Sequence, residues 1–180
     1  MSSSLRQLNI SYSPLEDRLL MRISSGDPEA LVEYRLWLTR RFVSLLWKAL
    51  EQIIDKESAH YPGVSADNRP AVKEFRQEAA LASSDFTTPY KAEAASTPLG
   101  PAPLLVSKLT VRKGPRDTHV LSLSAAKGEA INLNLSIPLI HSIQKLLADA
   151  VARNGWGLSF TTKTPEPPPA AGGTPPRTLN

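Results

Sequence analysis

The sequence predicts an α+β fold made of two tandem β-β-β-α repeats about a pseudo-twofold axis, an antiparallel sheet with both helices on one face. Three observations lead there. Residues 17–24, DRLLMRIS, align with residues 117–124, DTHVLSLS, and residues 34–39, YRLWLT, align with residues 131–136, INLNLS. The offset is 100 residues for the first pair and 97 for the second. That difference falls in the turn between them, where insertions are tolerated. Apolar residues then alternate with polar ones through these stretches, the period of a half-buried strand. An apolar run with helical spacing follows each third strand.

In the first unit, Leu8, Ile10 and Tyr12 alternate with Asn9 and Ser11. A turn follows at Ser13-Pro14-Leu15-Glu16-Asp17, where Pro14 fixes one φ and removes a donor. Leu19, Met21 and Ile23 form one face of a second strand, and Tyr34, Leu36 and Leu38 one face of a third. Thr39 is a good N-cap for a helix to about Lys56, with Phe42, Leu45, Leu46, Ala49, Leu50 and Ile53 as its apolar stripe. The second unit repeats this order. Leu109 and Val111, then Leu121 and Leu123, then Ile131, Leu133 and Leu135 mark its strands. Ser136 is the equivalent cap, and Pro138 falls in the first helical turn, where a missing N–H does least harm. The stripe of this helix is Ile140, Ile143, Leu146, Leu147, Ala150 and Val151, and Asn154-Gly155 signals its end.

The resulting organisation is a first repeat over residues 1–57, a linker over 58–103, a second repeat over 104–160 and a tail over 161–180. Within the linker, residues 71–86 read as a short helix, and residues 87–103, rich in Ala, Pro, Ser and Thr, read as flexible. The Pro-rich tail cannot build a core and is expected to be disordered.

The 180 residues include no cysteine, which excludes disulfides, thiol chemistry and thiolate metal sites. No apolar run approaches the roughly 20 residues needed to span a bilayer, so a cytoplasmic protein is expected. A net charge of +4 and a pI near 9.5 permit a polyanionic partner.

The segment EYRLWLTRR, residues 33–41, resembles a stretch shared by a group of uncharacterised bacterial proteins. The resemblance covers about the first third of the chain and implies a bacterial origin and no activity. In topology, paired sheet-then-helix repeats about a pseudo-twofold resemble the Whirly and Pur-alpha single-stranded nucleic-acid binders. Those repeats carry four strands before the helix, where three are read here.

No acid/base pair of recognisable spacing, nucleophile context, Gly-rich phosphate loop or cofactor fingerprint is present, so a non-enzymatic binding module without cofactor or metal is expected. His60, His119 and His141 lie too far apart in sequence for metal-ligand spacing. Alternation instead defines a polar sheet face opposite the core register. Its candidate nucleic-acid-binding residues are Arg22, Arg35, Trp37, Lys108, Arg112, Asn132 and Asn134. Cations that track a backbone beside an aromatic that stacks on bases are what single-stranded nucleic acid requires. An ordinary solvated face, or a protein-protein or oligomeric contact anchored by Trp37, is the competing reading. Arg40 and Arg41 follow the N-cap, where free backbone N–H groups favour anions, which makes them a candidate anion site. The plain alternative is a pair with a carboxylate such as Glu33.

Overall fold

The computed structural model describes residues 5–27, 29–91 and 96–160. Its strands are β1 (Leu5–Ser13), β2 (Arg18–Ser25), β3 (Val32–Leu38), β4 (Leu104–Leu105), β5 (Lys108–Lys113), β6 (His119–Ser124) and β7 (Ala130–Leu135). Its helices are α1 (Arg40–Ala59), α2 (Arg69–Ala82) and α3 (Ile137–Ala152), with a short 3-10 turn at Ala66–Asn68. The fold is therefore α+β. The tail 161–180 and residues 92–95 of the linker lie outside the described residues.

The strands form two sheets rather than one continuous antiparallel sheet: β1-β2-β3-β4 and β5-β6-β7. The first sheet is mixed, because β4 pairs parallel to β3 through Leu36–Leu104 and Trp37–Leu105. Composition hid this strand, since two residues in a Pro-rich stretch carry no periodicity. The chain then leaves one sheet and enters the other without a loop. Val106 N donates to Trp37 O at 3.1 Å, and Ser107 N donates to Ser124 O at 2.9 Å.

The first hairpin of each sheet, β1–β2 and β5–β6, turns through a left-handed aspartate, Asp17 at φ 47° and Asp117 at φ 56°. A short side chain that can bond locally tolerates this region better than most. The inward registers carry Leu19, Met21, Ile23, Leu36 and Leu38 from the first sheet and Leu121, Leu123 and Leu135 from the second, all at most 1% exposed. One apolar cluster joins them to the helices. Each sheet is packed in part by the helix of the other half of the chain: α3 contacts β1, and α1 contacts β5.

Thr39 caps α1, its Oγ1 accepting from Phe42 N at 3.2 Å. Ser136 stands at the cap position of α3 but makes no side-chain cap bond. The buried face of α1 includes Val43, Trp47 and Ile54, and Leu45 is 48% exposed. Phe42, Leu46, Leu50 and Ile53 of the predicted stripe are buried, but the buried face is shifted toward Val43, Trp47 and Ile54, and Trp47 stacks on Phe160 with ring centroids 4.4 Å apart. The linker helix starts at Arg69 and docks on both α1 and α3. No helix among the described residues is long and apolar enough to cross a membrane.

Candidate functional site

On the outward face of the first sheet, Arg22 and Arg35 sit directly opposite each other on β2 and β3. Two like charges so placed repel unless a counter-charge lies between them. Glu33 supplies it. One carboxylate oxygen accepts from Arg22 Nε at 2.9 Å and lies 2.8 Å from its Nη2. The other accepts from Arg35 Nε at 2.7 Å and lies 2.6 Å from its Nη2. Each arginine thus brings two N–H groups to a single oxygen, so that one carboxylate serves both, with charge-assisted bonds on each side. Tyr90 donates its hydroxyl to the same carboxylate at 2.9 Å and lies under the Arg22 guanidinium, 4.5 Å from ring centroid to Cζ. Glu33 is only 1% exposed. Burial pushes its carboxyl up, but Arg35, Tyr90 and Arg22 together outweigh that and hold it below the ordinary range.

The linker supplies this cover. Ser96 bridges Val32 and accepts from Glu33 N at 2.9 Å. Pro101 O accepts from Arg35 Nη1 at 3.3 Å, and Lys91 N donates to Gln7 at 3.1 Å. The described part of the segment read as flexible is thus pinned across the first sheet. Arg22 and Arg35 already have their counter-charge and are not free cations.

Trp37 is half-buried on the same outward face, beside Leu20 on β2 and Leu105 on β4. Leu105, 43% exposed, also forms part of a groove of about 930 Å³ at the seam where the chain passes between the sheets. Arg40, Arg41 and Lys48 line that groove with Phe42, Leu45 and Ser107, and no carboxylate does. Glu33, committed to Arg22 and Arg35, pairs with neither Arg40 nor Arg41. The Asp17 carboxyl is held low first by bonds from Trp156 and Tyr12, with the nearby charge of Arg40 adding to them.

Lys108, Arg112, Asn132 and Asn134 are all exposed on the outward face of the second sheet. Register places Thr110, Ser122 and Asn132 in one row and Arg112, Val120 and Asn134 in the next. Lys108 and Arg112 form no ion pair among the described residues, and Ser122 donates to Asn132. The structure therefore separates the seven predicted residues into a pair that shares one buried counter-charge, an aromatic at the seam and an open polar face. Lys108 follows Ser107 directly and so lies next to the seam groove.

Sequence reasoning missed Tyr90, Lys48 and Leu105. Lys48 follows Arg41 and Leu45 at helical spacing, a signal that was present. Among the described residues, no group of three or more His, Asp or Glu could hold a metal ion. Comparison with family models, with curated proteins and with solved structures finds no match to this chain.

Proposed function

We propose that this chain is a non-enzymatic binding module that takes single-stranded nucleic acid along the seam groove, past Trp37, Arg40, Arg41 and Lys48 to Lys108. One observation carries this reading. The groove is lined by three cations and no carboxylate, over a floor that includes the exposed Leu45 and Leu105. Cations beside apolar and aromatic surface suit a strand whose phosphates and base faces must both be met. Arg112, Asn132 and Asn134 extend the surface along the second sheet. The reading moves the site away from Arg22 and Arg35, whose role becomes structural.

The proposal extends to architecture and setting. Two β-β-β-α units about a pseudo-twofold agree with the left-handed aspartates in the β1–β2 and β5–β6 hairpins and with the reciprocal packing of α3 on β1 and α1 on β5. This is the ground for likening them to Whirly and Pur-alpha repeats. A bacterial, cytoplasmic setting belongs to the same proposal and rests on the EYRLWLTRR-like segment.

A second reading is favoured by one observation: Leu105 lies 43% exposed beside half-buried Trp37 and Leu20. An apolar patch there suits a homo-oligomer or a protein partner. A titration of labelled oligothymidylate by fluorescence anisotropy, at two salt concentrations, tests the first reading. Phosphate-driven binding weakens steeply with salt. If no oligonucleotide is retained at low salt, the nucleic-acid reading is refuted. Loss of an oligomer in Trp37→Ala, without a salt response, would put the second in its place.

A further inference from the structure

The two hairpins end differently. At the β1–β2 turn, Trp156 fills the space: it is 6% exposed, its Nε1 donates to Asp17 at 2.6 Å, and its ring meets Tyr12 edge-on at 5.8 Å. At the β5–β6 turn no aromatic among the described residues does this. Tyr61, just beyond α1, lies instead under the Arg76 guanidinium, 3.9 Å from ring centroid to Cζ. The Asp117 side chain is left 91% exposed. What remains is a cleft of about 790 Å³ between the end of α1 and the inward face of β5. Val111 stands in the core-facing register yet is 37% exposed.

Ile53, Val111 and Ile137 make the apolar walls of this cleft. His119, Glu57 and Lys113 form its polar floor. Glu57 accepts from Lys113 Nζ at 3.1 Å and lies 3.4 Å from His119 Nε2. The His119 side chain is only 9% exposed, and its Nδ1 has no hydrogen-bond partner. Lys56, Arg76 and Arg112 stand around the cleft and form no ion pair among the described residues. Against the cations Lys56, Arg76, Arg112 and Lys113 stand only Glu57 and Asp117, a surplus of two positive charges.

We propose that this cleft binds a nucleotide-type ligand, a phosphate monoester carried on a planar ring. Such a phosphate bears about −1.5 to −2 charges at neutral pH, which matches the surplus. Arg76, stacked on Tyr61, presents its in-plane N–H fork to an oxyanion, the use for which a guanidinium is suited. The apolar walls of Ile53, Val111 and Ile137 accept the ring. The volume lies within the roughly 300–1,000 Å³ of small-molecule sites. The cleft shares no lining residue with the seam groove, and only Arg112 belongs also to the surface proposed along the second sheet.

Isothermal titration calorimetry with adenosine 5′-monophosphate, adenosine and inorganic phosphate tests this. Adenosine monophosphate should bind, and adenosine or phosphate alone should bind on the order of tenfold more weakly, since each lacks one half of the recognised chemistry. Arg76→Ala, at an exposed position that leaves folding intact, should lower the affinity by about the same factor. Arg41→Ala, in the seam groove, should leave it unchanged. Absence of binding at millimolar adenosine monophosphate would overturn the proposal. So would binding that Arg76→Ala does not weaken, or affinity for inorganic phosphate equal to that for the nucleotide.

Discussion

Replacing Glu33 by Ala removes the one carboxylate that holds Arg22, Arg35 and Tyr90 together. Arg22 and Arg35 are then left as a like-charged cross-strand pair, and the Tyr90 hydroxyl loses its acceptor. Removing one partner of a buried ion pair costs roughly 3–5 kcal/mol. The two arginine side chains are 25% and 34% exposed and can regain part of their hydration, so the lower end, about 3 kcal/mol, applies. With a urea slope of about 2 kcal/mol per molar, the unfolding midpoint should fall by about 1.5 M. Glu33→Gln keeps one carbonyl acceptor and should lose less. Single Arg22→Ala and Arg35→Ala substitutions combined with Glu33→Ala in double-mutant cycles should show strong coupling. A loss of under about 1 kcal/mol for Glu33→Ala would refute the assignment of Glu33 as the buried counter-charge. The same group sets a pH dependence. Its folded pKa lies below the ordinary 4.5, so its stabilisation is complete above that value and is lost as pH falls through the folded pKa.

Other expectations follow from the same geometry. Arg41→Ala and Lys48→Ala should each weaken oligothymidylate binding and lower its salt slope by about 1, whereas Arg22→Ala should change stability and leave the slope alone. Trp156→Ala should cost about 3–5 kcal/mol in thermal or urea unfolding, because it opens a cavity at the first hairpin and strips Asp17 of a donor. Burial holds the His141 imidazole below its ordinary 6.5, with Gln144 opposing and Lys73 adding to it. The unfolded chain therefore takes up that proton first, and stability should begin to fall as pH drops below about 6.5. Stability curves of His141→Phe should lose that part of the acid slope if the variant folds, and retention of the slope would point to His119.

Alternation made most of the inward-facing core legible, since Leu19, Met21, Ile23, Leu121 and Leu123 sit where period 2 put them. Thr39 announced α1 because an N-cap is a local device, written in one hydroxyl and the amide three residues on. Nonlocal matters were hidden. Arg22 and Arg35 were visible as one face, but the burial of Glu33 between them involves Tyr90, 57 residues from Glu33 in sequence. The β4 pairing joins residues nearly 70 apart through two leucines, too few to leave a period. Leu45 was placed in the stripe and is exposed, because the roll of a helix is set by what it packs against and not by its own pattern alone. The cleft did leave a signal. Lys113 and His119 occupy inward positions where a closed core would carry apolar residues.

The strand that passes from β4 to β5 belongs to both sheets at once, with Val106 bound to Trp37 and Ser107 to Ser124. It acts as a shared rail rather than a hinge. The halves also exchange their helices, α3 lying on β1 and α1 on β5. A fragment ending after α1 would hold β3 with a bare edge and β1 without its cover. A fragment beginning at β4 would lack the strand that β4 runs beside. Neither half of the chain is thus an independent unit in the fold. Whatever occupies the seam or the cleft meets a frame whose halves cannot slide past one another without breaking the backbone bonds that make them one body.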